Sequence, residues 1–138
     1  MRDVLRKRGF GWLLAALLLS GCNSDWMRAR ERSDEVYLTA PANYRADILA
    51  FMHAYLNDPS GVRDAFISEP SKRTLENIER YALCLRYNAR KSGGGYAGSK
   101  DSLVLFREGR LDRVVDNAKE QCKDAAYQPF PELERMSR

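Results

Sequence analysis

The sequence is poor in the residues that most often carry chemistry. A single histidine, His53, stands in 138 residues, and the three cysteines (Cys22, Cys84, Cys122) form no C-x-x-C pair. One imidazole and no close thiol pair leave the common zinc sites short of ligands, so no metal is expected. The same spacing removes the usual dithiol redox motif. No G-x-S-x-G elbow occurs, so a Ser-His-Asp triad would have to be built on His53 alone. Long apolar runs are also missing. Phe10–Leu19 is the apolar stretch, and it falls well below the roughly 20 residues of a membrane-spanning helix. Gly93-Gly94-Gly95-Tyr96-Ala97-Gly98 spells G-x-G-x-x-G, but Ser99-Lys100-Asp101 then leads into a strand pattern. A dinucleotide site needs a helix there, its N-terminus meeting the pyrophosphate. Gly98-Ser99-Lys100 fails as a phosphate loop, because no lysine directly follows the glycine. No catalytic residue and no cofactor is therefore assigned.

What is present begins at the N-terminus. Arg2, Arg6, Lys7 and Arg8 precede Phe10–Leu19, and Leu19-Ser20-Gly21-Cys22 follows. This is a positive segment, an apolar segment of signal-peptide length and a small-residue processing site. Leu-Ser-Gly-Cys resembles the lipobox of bacterial lipoproteins. The resemblance implies diacylglycerol on the Cys22 thiol, cleavage before Cys22 and acylation of the new amino group. One acyl chain holds a membrane marginally, so several on one cysteine would anchor the protein stably. Asn23, not Asp, follows the cysteine. By the same resemblance this favours the inner leaflet of the outer membrane, facing the periplasm.

The leader also changes the charge argument. The chain carries a net +4, and four cations against Asp3 put +3 of it before Cys22. A mature chain near +1 has no footprint for nucleic acid, and export argues against that partner too. The remaining length suits one small domain with one core. Export also implies an oxidising compartment, in which Cys84 and Cys122 form an even pair. One disulfide is expected there, with two buried free thiols as the alternative.

Four segments are expected: a cleaved leader (1–21), a lipidated tether (22–42), a single α+β domain (43–131) and a C-terminal tail (132–138). The tether is charged through Met27-Arg28-Ala29-Arg30-Glu31-Arg32, lacks a clean apolar face and reads as a solvated linker. Asn43–Asn57 is the best helix. Asn43 is a candidate N-cap and Asp47 lies in the first turns. Tyr44, Ile48, Leu49, Phe51, Met52, Tyr55 and Leu56 fall within one arc of about 160°. His53 stands at its border, which suits a packed, solvent-touching residue.

Val62–Ser68 fits a strand, though Val62, Ala65 and Phe66 also fit a helical period. Pro70-Ser71-Lys72-Arg73 is a break, and Thr74–Ile78 is ambiguous. Arg80–Ala89 alternates as a strand, with Tyr81, Leu83, Leu85 and Tyr87 on one face and Cys84 on the other. A glycine-rich loop over 90–100 follows, then a strand at Ser102–Phe106, a tight turn at Glu108-Gly109 and a strand at Arg110–Val115. Asp116–Cys122 suits a short helical turn, Tyr127–Pro131 an extended segment, and Glu134–Arg138 a frayed end.

The expected fold is α+β, with one amphipathic helix packed on a three- to four-stranded antiparallel sheet. This order, with Leu103-Val104-Leu105-Phe106, Gly109 and Leu111, resembles the small outer-membrane lipoproteins that accompany the β-barrel assembly machinery. The resemblance covers one hairpin and implies an accessory, binding role. A membrane through the lipid anchor, and an envelope protein complex or peptidoglycan, are the expected partners. The loop residues Arg90, Lys91, Tyr96 and Lys100 are the candidate contacts, since loops carry function disproportionately. The rival reading is a carboxylate hydrolase acting on the wall. Its candidate acids are Glu76 with Glu79 and Asp112 with Asp116, and it needs two carboxyls across a cleft.

Overall fold

Strand β3, Ile78–Asn88, is the axis of the domain. Its alternation buries both faces. Leu83, Leu85 and Tyr87 enter one apolar cluster, while Ala82 and Cys84 enter another. The computed structural model describes residues 25–138. The expected leader and Cys22 lie outside the described residues.

The other elements follow in chain order: helix α1 (Asp25–Leu38), helix α2 (Tyr44–Tyr55), β1 (Arg63–Ile67), β2 (Ser71–Leu75), then β3. After it come β4 (Lys100–Arg107), β5 (Arg110–Val115), the two-residue β6 (Gln128–Pro129) and the short α3 (Pro131–Glu134). The sheet order is β5-β4-β3-β1-β6, with β2 also paired to β3, and every pairing is antiparallel. The α+β class is as expected, but the sheet has six strands among the described residues instead of three or four.

The extra strands have local causes. β1 and β2 share one edge of β3, β1 against its C-terminal half and β2 against Ile78–Ala82. The expected break at Pro70 is real, but it interrupts an edge and does not end it. Proline has no N–H for a ladder. Ser68 bridges the gap, donating its N–H to the Cys84 carbonyl and accepting the Cys84 N–H on its hydroxyl, both at 2.9 Å. Glu76 and Asn77 then turn with φ of 51° and 64°. Two consecutive left-handed residues make the turn that matches strand twist. Glu108 and Gly109 repeat this, with φ of 52° and 70°. A Cβ on Gly109 would stand 3.3 Å from the Ala40 carbonyl oxygen, so glycine is required there by space as well.

Helix α2 lays Ile48 and Met52 fully into the first cluster, with Tyr44, Leu49, Phe51 and Leu56 packed around them. Asn43 precedes it without a side-chain capping bond. Tyr55, expected in the apolar arc, is 47% exposed. Asp47 binds β5, accepting from Arg110 Nε at 2.9 Å and from the Leu111 N–H.

The second cluster is covered by residues 116–127, with Ala118, Cys122, Ala125 and Tyr127 against Ala82, Leu103 and Leu105. The expected helical turn there is a run of turns with one i,i+4 bond, Cys122 N–H to Ala118 carbonyl. The Cys84–Cys122 disulfide ties this segment to β3.

Two stretches depart from the sequence reading. The expected linker at 22–42 is helical over Asp25–Leu38. Near its end the Val36 carbonyl accepts the Glu108 N–H, and the Tyr37 ring lies 4.8 Å from the Arg80 guanidinium. The tail expected to fray is docked instead. Leu133 is fully buried, Met136 packs on the first cluster, and Arg138 binds Asp58. Pro131 opens α3 at the one helical position where a missing N–H costs nothing.

Candidate functional site

The glycine loop is held at its base and exposed at its tip, where the Lys91 N–H donates to the Gly95 carbonyl and the Gly94 N–H to the Lys91 carbonyl. Tyr96 donates its hydroxyl to the Gly61 carbonyl at 2.9 Å, and the Arg63 guanidinium lies 4.2 Å from its ring centre. Arg90 pairs with Asp58 at 3.9 Å. Asp58 also accepts from Arg138 and from Ser60, and these bonds hold its carboxyl well below the ordinary range. Of the four candidate contact residues, Arg90 and Tyr96 thus organise the loop. Lys91 is exposed at the tip. Lys100 stands apart at the start of β4.

Lys100 borders an open depression of about 720 Å³. β1 supplies Asp64 and Phe66. The neighbouring ends of β3 and β4 supply Arg86 and Asp101, and Ser99 joins Lys100 on the rim. Asn117 and Lys119 close it from the segment after β5. A β-bulge borders it. The β1–β3 register shifts between Arg63 and Phe66, and Asp64 within it has φ of 53°. Asn117 is left-handed too, at 57°. Such backbone costs of order 1 kcal/mol for a residue with a side chain, though Asp and Asn tolerate it best. Bulges re-aim side chains, often beside binding sites.

The charges divide into satisfied and unsatisfied groups. Arg86 binds Asp101 through Nε at 2.7 Å and Nη2 at 3.3 Å, and its guanidinium lies 4.3 Å from the Tyr127 ring centre. Tyr127 donates to the same carboxylate at 2.9 Å. The Arg86 bond chiefly holds Asp101 below the usual carboxylate range, against the opposing effect of burial. Lys100 is exposed and enters no ion pair among the described residues, while the Lys119 charge lies near enough to Asp101 to help hold that carboxyl down. Asp64 receives only the Asn88 amide, at 3.4 Å.

A second polar cluster lies by the end of α2. Tyr55 donates to Asp116 at 2.6 Å, and Ser102, fully buried, donates to the other oxygen at 3.0 Å. This bond to Asp116 pushes the Tyr55 phenol up to about 12, with burial adding to it. Burial first, then the bond to Asp101, pushes Tyr127 up to about 12 as well. A raised folded pKa means that the unfolded chain loses its proton first as pH rises. These groups therefore contribute fully below about pH 10, the free phenol value, and their contribution is lost between about 10 and 12. Stability is expected to fall across that window. In a spectrophotometric titration, Tyr127→Phe and Tyr55→Phe should each remove one phenol from the late-ionising class. Removal from the ordinary class near pH 10 would contradict the assignment.

The remaining candidates are not brought together. His53 is exposed on α2. Glu76 pairs with Arg113 at 3.6 Å, and Asp112 binds Arg80 at 2.8 Å with Arg107 beyond. Asp116 is engaged as described, and none of these acids lines the depression. Among the described residues no group of three or more His, Cys, Asp or Glu could hold a metal, and no helix is long and apolar enough to cross a membrane. Asp64 and Lys119 escaped the sequence reading, since nothing local distinguishes them from solvated charges.

Fold and site together define a small α+β protein with a disulfide-tied second face and an open polar depression. No protein-family model, curated protein or solved structure matches this chain.

Proposed function

We propose that the chain is a lipid-anchored lipoprotein of the bacterial cell envelope, facing the periplasm, whose domain acts by binding. The carrying observation is the order Arg2, Arg6, Lys7, Arg8, then Phe10–Leu19, then Leu19-Ser20-Gly21-Cys22. Asn23 after the cysteine favours the outer membrane. The Cys84–Cys122 disulfide is consistent with an exported domain. The mechanism is positional. Lipid on Cys22 confines the domain to a surface and raises its effective concentration toward an envelope protein complex or the wall. The depression at Lys100 and Lys119, not the whole glycine loop, is the surface to which binding is assigned.

Metabolic labelling with an alkynyl fatty acid, followed by detergent-phase partitioning, tests the anchor. The intact chain is expected to take up label and enter the detergent phase. Cys22→Ser should abolish both. A Cys22→Ser protein that still carries label and partitions would refute the lipid assignment.

A further inference from the structure

The depression carries more than a general binding role, because its free charges have both signs. Lys100 offers an ammonium group without an ion pair and Lys119 a second one that Asp101, already bound by Arg86, meets only through charge, while Asp64 offers a carboxylate held only by the Asn88 amide. Arg86 and Asp101 satisfy each other and leave the balance unchanged. A ligand bearing negative charge alone would gain from the lysines but face Asp64. A purely cationic ligand would face the reverse. Only a ligand carrying an anion and a cation at separate points uses all three groups. Phe66, half-buried, lines the same depression and adds apolar surface to it.

Asp64 is placed there at a local cost. It holds a left-handed backbone inside the bulge that separates β1 from β3. The Asn88 bond does not require that geometry to be kept by an acid, since asparagine tolerates it as well. The carboxylate charge is thus free to serve something outside the fold.

We infer that the depression binds a short peptide through its free ends, the terminal carboxylate on Lys100 and Lys119 and the amino group on Asp64. The inference rests on the reading of the domain as a binding module and names its ligand class. Both ion pairs would be solvent-facing, so the affinity should be modest and salt-sensitive.

The test titrates the full chain, in micelles of a neutral detergent, with the tripeptide Ala-Leu-Ala, followed by amide chemical shifts. Saturable shifts are expected at Asp64, Ser99, Lys100, Asn117 and Lys119. N-acetylation or C-amidation of the peptide should each weaken binding by about tenfold, or about 1.4 kcal/mol. Asp64→Asn should erase the penalty of acetylation and keep that of amidation. Lys100→Gln with Lys119→Gln should do the opposite. This crossed pattern is a readout that general damage to the fold would not produce. Equal binding of free and capped peptides, no shifts at millimolar peptide, or equal binding of phosphoethanolamine would each overturn the inference. Failure here leaves the lipid anchor untouched, because the Cys22→Ser experiment reads it separately. A purified envelope partner that crosslinks through Lys100 without peptide binding would keep the binding reading and remove only the ligand class.

Discussion

Replacing Cys84 and Cys122 together by alanine is expected to cost about 4 kcal/mol of folding stability. The bond joins residues 38 apart in sequence, so its loss restores the freedom of a long loop to the unfolded chain. For a domain of this size that corresponds to a fall in Tm of roughly 15 °C. The loop carries β4 and β5, and its far end covers the second face. Ala118 and Cys122 are nearly fully buried there against Ala82, Leu103 and Leu105. Urea unfolding of the oxidised protein and the double variant measures the difference. The variant should also show a steeper dependence on urea, since an unlinked chain exposes more surface. Alkylation of the native protein without reductant should label neither cysteine. A loss below about 1 kcal/mol would mean that the segment is held by packing alone. A loss well beyond the loop value would mean that residues 116–127 detach and expose the second cluster.

The second large effect is expected at Phe130, where alanine should cost about 3–5 kcal/mol. The ring is fully buried in the first cluster, and the Arg45 guanidinium lies 5.2 Å from its centre. Its N–H donates to the Ala65 carbonyl at 2.8 Å. Phe130 therefore fixes the point at which the chain leaves β6, pairs with β1 and enters α3. Leu133, Met136 and the Arg138–Asp58 pair all lie downstream of it. Truncation should act on two levels. Global stability should fall by the burial lost, and amide exchange should quicken most over β6, α3 and the edge of β1. Uniform quickening with no concentration in the tail would show the docking to be independent of the ring. A loss under 1 kcal/mol would show that the cavity collapses without penalty.

Some of this architecture could be read without coordinates. Strand β5 runs over the residues that its pattern indicates, because Leu111, Val114 and Val115 stand beside a turn that glycine marks. β3 betrayed itself by alternation, and the glycine loop by composition. The helix α2 was legible from its apolar stripe, although Asp47 serves β5 as well as the helix start.

Other elements left fainter signals. The helix α1 begins in a charged stretch, Met27-Arg28-Ala29-Arg30-Glu31-Arg32, without a clean apolar face, yet these residues are good helix formers and propensity alone points to a helix. β2 was hidden because Ser71-Lys72-Arg73-Thr74 is polar, with only Arg73 half-buried among the four. An edge strand takes its stability from the ladder it joins, and five residue pairs with β3 supply that. The docked tail offered Leu133 and Met136 three residues apart with Pro131 before them, a short pattern easily taken for fraying.

By itself the sequence determined the class of the fold, the central strand and the β4–β5 hairpin after it, the even cysteine pair and the leader-like start. These depend on residues close together, where side-chain period and turn chemistry act locally. Tertiary structure alone decided which way each half-committed segment went, and that Asp64, Lys100 and Lys119 share one depression while Arg90 and Tyr96 are spent on holding the loop. The physical reason is that a free charge and a paired one look alike in sequence. Only the packing of β1, β3, β4 and the segment after β5 brings distant groups near enough to satisfy one another, or leaves them without a partner.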